Sequence, residues 1–503
     1  MAVFDDYALW QIIVIAAYFL TLLLLSVYGT HRYIIVRLFQ THSQDDPTPD
    51  GYFGDHDLPT VTVQLPIFNE RYVVERLIDA ACALDYPRDR LQIQVLDDST
   101  DDTTERAQQR VQHWRDQGVD IVLLHRQNRQ GFKAGALAEG LRSASGDFVA
   151  IFDADFIPQP DFLRQTIHHF VDHSIGMVQA RWSYINRDYS LLTRAQAVLL
   201  DGHFILEHTA RHRSGRFFNF NGTAGIWRRE AIDDAGGWEH DTLTEDLDLS
   251  YRAQLKGWSF RYLKDLTVPS ELPVSMTAFK SQQHRWAKGA LQTALKLLPS
   301  VFRSNQPLSV KIEAFYHLTG NLAYVLMVIL ALLMPLATLI RIQQGWSEVL
   351  FIDLPIFFGA TVSICYFYWT SQRAQGRRPL HILGLLPAVL ALGIGLCLNN
   401  AKGVVGAALG HDSPFVRTPK YAIDRIDGSW ASKLYERRPS IMPLLEFAFG
   451  AWFSYAIWYI LTDPAQPLAS LPFLLLFQLG FLYVSLVSIG QALTTGKTTS
   501  SSA

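Results

Sequence analysis

Long uncharged apolar runs alternate with polar stretches along this chain, and the runs predict helices that cross a membrane. Residues 8–29 carry no charged side chain, and about 20 apolar residues in a helix span a hydrocarbon layer of roughly 30 Å. Similar runs lie near 318–340, 354–370, 382–398, 441–461 and 468–492, whereas residues 41–310 read as a soluble domain inserted between membrane parts. Inside that domain short apolar runs alternate with amphipathic stretches, the pattern of a parallel sheet with helices packed on its faces. Strands are expected at 61–65, 91–96, 121–124 and 148–152, each ending in polar or turn residues. The first leads into Pro66-Ile67-Phe68-Asn69-Glu70, the second into Asp97-Asp98-Ser99-Thr100 and the fourth into Asp153-Ala154-Asp155. Open α/β sheets bind ligands beyond the carboxyl ends of their strands, so these ends should converge on one crevice.

Composition and charge refine this picture. With 49% hydrophobic and 18% charged residues, the 503-residue chain is too apolar for two or three soluble domains. The first run is flanked by Asp5 and Asp6 and followed by no small-residue cleavage site, so it reads as an anchor rather than a signal peptide. Arg32 and Arg37 stand on its other side, which places the N-terminus outside and the large domain in the cytoplasm. The loop with Arg373, Arg377 and Arg378 is basic, and so is the later one with Lys402, Arg417, Lys420, Arg425, Lys433, Arg437 and Arg438. Both ends of 382–398 then lie on one side, so this stretch, with Pro387 and several glycines, is expected to be interfacial or re-entrant. The expected layout is a transmembrane helix in 1–40, a cytoplasmic domain in 41–310 and two spans in 311–375. An interfacial segment with a loop fills 376–440, two spans fill 441–493, and 494–503 is a disordered tail, about five crossings in all. A net charge of −3 leaves no footprint for nucleic acid. Cys82, Cys365 and Cys397 have neither disulfide nor metal-ligand spacing.

The strand ends carry the candidate chemistry, and each piece alone also has a bland reading. Asp153 and Asp155 suit a hard divalent cation, Mg²⁺ or Mn²⁺, that also takes phosphate oxygens, although such acids also cap helices. Asp97 and Asp98 suit hydrogen bonds to a base or ribose, or serve as N-caps. Lys133, where a small-residue turn opens a helix, suits phosphate. Asp246, with Glu245 as the alternative, can take a proton from an acceptor hydroxyl, yet acids in a first helical turn are favoured by the dipole alone. In Gln282-Gln283-His284-Arg285-Trp286, Arg285 offers a donor fork for pyrophosphate. Trp286 offers a flat face for a sugar, or an anchor at the membrane interface. Glycosidases also use two carboxylates, but as an opposed acid and base with no cation-type Asp-x-Asp.

Taken in order, these motifs, with Lys133-Ala134-Gly135, Gln179-Ala180-Arg181-Trp182, Phe220-Asn221-Gly222-Thr223-Ala224-Gly225 and Thr244-Glu245-Asp246, carry a resemblance. Over most of residues 55–425 the chain resembles processive family 2 membrane glycosyltransferases of the cellulose synthase and cellulose-synthase-like group, the mannan and glucan synthases. The resemblance implies a GT-A type, Rossmann-like α/β domain inserted between transmembrane helices of a polytopic membrane protein. By it Asp97 and Asp98 hold the nucleoside, Asp153 and Asp155 serve nucleotide and metal, and Asp246 is the base. Lys133 stays on the donor side, Gln282 and Arg285 contact the pyrophosphate, Asn221, Gly222 and Thr223 flank the acceptor, and Trp286 stacks on its sugar. Phe415, Thr418 and Lys420 match a gating loop, in which Arg417 replaces the usual valine. The implied reaction is inverting transfer of hexosyl units from a nucleotide sugar to a growing β-linked glycan. UDP-glucose is the first choice of donor and GDP-mannose the second, and the alternative is a single transfer to diacylglycerol or ceramide. The implied partners are the nucleotide sugar, the glycan acceptor and the lipid bilayer of a plasma or inner membrane, with room for accessory export subunits. Asn321, Glu446 and Gln478 are the polar candidates for a channel lining.

Overall fold

The computed structural model describes residues 8–43, 47–344, 356, 358–411, 417–423, 440–462 and 470–499. Seven strands form one sheet: β1 Val61–Ile67, β2 Leu91–Asp97, β3 Ile121–His125, β4 Phe148–Ile151, β5 Ile175–Tyr184, β6 Gly225–Arg228 and β7 Ser259–Ser270. Their order is β3-β2-β1-β4-β6-β5-β7. The four strands expected from the apolar runs are β1 to β4, and they pair in parallel. β6 runs antiparallel between β4 and β5, so the sheet is mixed rather than wholly parallel. The chain turns back through Gly222 at φ +79° and Ala224 at φ +57° before β6. A four-residue apolar run such as β6 is too short for its period to distinguish it from a turn.

Both faces of the central strands are covered, which is why they read as nearly continuous apolar runs. Val63, Leu65, Ile93 and Val95 pack under the helix Val74–Cys82, while Leu96, Val149 and Ile151 pack under Phe132–Ser143. The buried Gln64 Nε2 donates across the sheet to Gln94 Oε1 at 3.0 Å. Parallel strands covered on both faces put their carboxyl ends, and hence the polar residues after β1, β2 and β4, at one rim.

Among the described residues four helices are long and apolar enough to cross a membrane: Leu9–His42, Leu322–Gln343, Met442–Thr462 and Leu471–Leu493. The expected interfacial segment is a pair of helices, Pro379–Gly395 and Cys397–Ala408, bent by 41° at the break, and counting it as one span raises the number to five. The glycine here has a packing reason: a Cβ on Gly395 would lie 2.3 Å from the carbonyl oxygen of Gly480. Small residues let such helices approach closely. The run at 354–370 falls partly outside the described residues, and its described part ends in the helix Ser363–Ala374. Of the tail at 494–503, residues up to 499 continue the last helix. The amphipathic stretch near 274–298 is the helix Met276–Arg303, started by Ser275, whose side chain accepts from the Ala278 backbone N–H. Lys280 on this helix reaches Glu446 Oε2 at 2.6 Å and Ser488 Oγ at 2.9 Å in the C-terminal helices. Glu446 therefore ties helices together, as does Gln478, whose Nε2 donates to Ser454 Oγ at 2.7 Å.

Candidate active site

The crevice at the sheet rim collects residues from every predicted motif. Asp98, Lys133, Asp153, Asp155, Asn221, Gly222, Glu245, Asp246, Gln282, Arg285, Trp286, Thr418 and Lys420 all line it. Phe415 lies outside the described residues. Asp97 stands behind the crevice rather than in it, because successive side chains of an extended chain point to opposite sides. It is fully buried and accepts from the Ser99 N–H at 2.9 Å and Thr104 Oγ1 at 2.6 Å, and meets His125 Nδ1 at 2.9 Å. Its role here is to hold the strand end. Asp98 faces the crevice, gripped by Arg126 through Nε at 2.7 Å and Nη2 at 2.6 Å. Beside it the Arg129 guanidinium lies 3.4 Å from the centre of the Phe68 ring, a flat wall for a base.

Asp153 and Asp155 sit beyond the end of β4, where the chain turns and the Phe156 N–H bonds to the Asp153 carbonyl. The turn breaks the strict alternation, and the two carboxylates meet different lysines. Lys133 Nζ donates to Asp153 Oδ1 and, at 2.8 Å, to the Gly222 carbonyl. Burial opposes the Lys133 charge, but Asp153, Glu245 and Asp246 hold the ammonium above the usual lysine range. Lys420 Nζ bonds Asp155 Oδ2 at 2.7 Å. Arg417 Nη1 lies 2.9 Å from Glu70 Oε2, so the arginine that departs from the gating-loop pattern has a partner on the loop after β1. Burial pushes the Glu70 carboxyl up to about 7 against the pull of Arg417 and Lys420. The hard oxygen donors of Asp153 and Asp155 fit a divalent cation. Each carboxylate already carries an ammonium, and an arriving cation would compete with Lys420 for Asp155. A separate cluster of Glu239, Asp241 and Asp248 is partly offset by Lys296, 2.8 Å from Asp241 and 2.9 Å from Asp248, and by Arg252, 2.8 Å from Asp248.

Asp246 and Glu245 open the helix Glu245–Leu255. Burial first, and Glu245 next, raise the Asp246 carboxyl to about 7, and burial also raises Glu245. Gly222 is required beside them: a Cβ there would lie 3.0 Å from Asp246 Oδ2 and 3.3 Å from Lys133 Nζ. Arg285 is buried against the field of Glu245, Asp153 and Asp246, which offsets part of the lowering that burial imposes on it. Thr223 faces the fold rather than an acceptor, its Oγ1 accepting from the Asp153 N–H at 2.9 Å. Asn221 is braced by Gln179 Oε1, which accepts from its backbone N–H at 3.0 Å.

A carboxyl raised to about 7, an arginine and a lysine among several carboxylates, and the Arg129–Phe68 wall make a site with the chemistry to displace a phosphorylated leaving group. Residues 59–289 match the family described as glycosyltransferase like family 2. This segment is a family 2 glycosyltransferase domain. Segments of this chain are 47% identical over 281 residues to glucomannan 4-beta-mannosyltransferase 1 of Oryza sativa subsp. japonica, covering 54% of each chain. They are 48% identical over 262 residues to glucomannan 4-beta-mannosyltransferase 2 of Arabidopsis thaliana, covering 51% of this chain and 49% of that one. The chain thus spans about half the length of the curated relatives it matches. A solved mannosyltransferase from Pyrobaculum calidifontis in complex with GDP-Man and Mn²⁺ is similar at 22% identity and a TM-score of 0.47, covering 75% of this chain and 96% of that one.

The crevice adjoins a second space, with which it shares part of its wall. A cavity of ≈ 1240 Å³ reaches from Asp246, Asn221 and Trp286, which line both, toward residues of the apolar helices such as Tyr18, Asn321 and Tyr324. Its polar wall was not anticipated: His203, Glu207 and Arg211 belong to no recognised motif, and each reads singly as a surface residue of a helix.

Proposed function

We propose that the chain is an inverting membrane glycosyltransferase that adds mannosyl units from GDP-mannose to a growing β-linked polysaccharide. The observation that carries this reading is the meeting of Asp246, Lys133, Asp153 and Arg285 in one crevice, with Asp246 also lining a cavity bordered by the apolar helices. Mannose takes the place of glucose as first choice because the relatives above are named as mannosyltransferases. Asp246 accepts the proton of the acceptor hydroxyl as that oxygen attacks the anomeric carbon, and the nucleoside diphosphate leaves from the opposite face. Arg285 and Lys133, both partly buried in the crevice, stabilise the departing negative charge. Asp153 and Asp155 would hold a Mg²⁺ or Mn²⁺ ion, whose chemistry is to neutralise the diphosphate. Trp286 offers its face to the terminal acceptor sugar. The N-terminus outside and the glycosyltransferase domain in the cytoplasm follow from the basic loops.

The test incubates purified full-length protein in detergent with GDP-mannose, UDP-glucose and Mn²⁺ or Mg²⁺, reading nucleoside diphosphate release and the fate of labelled sugar. Release from GDP-mannose with label in an insoluble or long soluble glycan is expected. Label in a chloroform-soluble glycolipid would instead make the chain a lipid glycosyltransferase, and faster turnover of UDP-glucose would restore glucose.

A further inference from the structure

Just beyond Asp246 and Asn221 the cavity wall is formed by Gly202–His208, a segment wound as a wide π-helical turn. Such turns are uncommon and recur where a helix must aim side chains at a ligand. This one presents His203 and Glu207 to the cavity, their side chains 25% and 20% exposed. Both are held in place. His208 Nε2 meets Asn221 Oδ1 at 2.6 Å, Asn221 Nδ2 meets His203 Nε2 at 2.9 Å, and His203 Nδ1 meets Glu207 Oε2 at 3.0 Å. The directions are consistent if His208 donates from Nε2, Asn221 donates to His203 and His203 donates from Nδ1 to the carboxylate. This chain of hydrogen bonds starts at the buried His208, passes through Asn221, which lines the crevice with Asp246, and ends at Glu207 in the cavity.

Glu207 is further set by Arg211 Nη1 at 3.4 Å and by Arg32 Nη1 of the N-terminal helix at 3.6 Å. Arg211 is backed by Glu313 at 2.9 Å, which also meets His31 Nε2 at 2.9 Å. Two carboxylates thus face two guanidinium groups, and burial keeps His208 and His317 well below the usual histidine range and therefore neutral. A balanced set of charges does not select an anion. Fixed acceptors and donors in a cavity also lined by Trp182 and Trp286 suit a neutral polyhydroxylated ligand.

We propose that His203 and Glu207 form an acceptor subsite that hydrogen-bonds the hydroxyls of the sugar next to the terminal one, fixing the terminal hydroxyl at Asp246. The proposal rests on the transferase reading of the crevice. A carboxylate bound to sugar hydroxyls makes charge-assisted hydrogen bonds, stronger than those between neutral groups.

The experiment titrates soluble β-linked mannotetraose as acceptor against purified full-length wild type, Glu207→Gln and His203→Asn at fixed GDP-mannose, then titrates GDP-mannose at fixed acceptor. Each variant should raise KM for mannotetraose about tenfold and change KM for GDP-mannose less than twofold. Equal rises in both constants, or an unmoved acceptor KM, would overturn the subsite. Should Glu207→Gln not fold, as read by its melting profile, His203→Asn decides alone, since it leaves the carboxylate with Arg32 and Arg211. Failure of wild type to turn over any nucleotide sugar is a separate result, and it refutes the transferase reading itself.

Discussion

Alanine at position 222 is expected to damage catalysis out of proportion to its effect on folding. Gly222 has φ +79°, a region that costs an L side chain about 1–2 kcal/mol. The added methyl would also lie 3.0 Å from Asp246 Oδ2 and 3.3 Å from Lys133 Nζ, tighter than an ordinary contact, so base or ammonium must shift. Displacing a reacting group by about 1 Å costs on the order of 10²-fold in rate. Gly215 provides a matched control: its φ is +69°, and a methyl added there would meet nothing within 4 Å. Gly222→Ala and Gly215→Ala should therefore lower the apparent melting temperature by similar amounts, about 2–4 °C per kcal/mol for a domain of this size. The contacts ask for a shift of a few tenths of an ångström rather than a full 1 Å, so only Gly222→Ala should lose turnover, by about 3–10-fold in nucleoside diphosphate release. Equal turnover in the two variants would refute the placement of the base and the lysine around this loop.

The raised Asp246 carboxyl predicts that kcat/KM climbs about tenfold per pH unit up to about 7 and levels above it, because only the ionised form accepts a proton. Asp246→Asn should abolish that limb and lower kcat about 10²–10⁴-fold. A carboxyl whose folded pKa exceeds its unfolded value of 3.8 contributes stability present below that value and lost as pH rises through about 7. Asp246→Asn should accordingly melt higher than wild type at pH 8, and a lower melting point would contradict the shift. Lys280→Met leaves Glu446 buried beside no ammonium and should cost about 3–5 kcal/mol, while adding Glu446→Leu should recover most of it, both read by thermal unfolding in detergent.

The crevice was legible wherever its residues sit next to a local signal. β1, β2 and β4 announce themselves as apolar runs, Asp98, Asp153 and Asp246 follow strand ends or a helix start within two residues, and Arg285 lies inside the amphipathic helix Met276–Arg303. The same local reasoning misjudged Asp97, since a pair of adjacent acids does not reveal which one the alternation of the chain turns inward. It could not pair Arg417 with Glu70 or Lys420 with Asp155, residues hundreds of positions apart that only the path of the chain brings together. It passed over His203 and Glu207, whose meaning comes from a wide helical turn beside a cavity rather than from their neighbours in sequence.

What the sequence determined by itself is therefore four of the seven strands, the long apolar helices and the chemistry at the strand ends, because hydrophobic period, caps and strand-end acids act over a few residues. Tertiary structure alone decided which carboxylate is neutralised by which cation, which asparagine touches which histidine, and where the crevice opens. Those outcomes depend on burial and on distances of a few ångströms between remote segments, and charge pairing in a low-dielectric interior is governed by such distances.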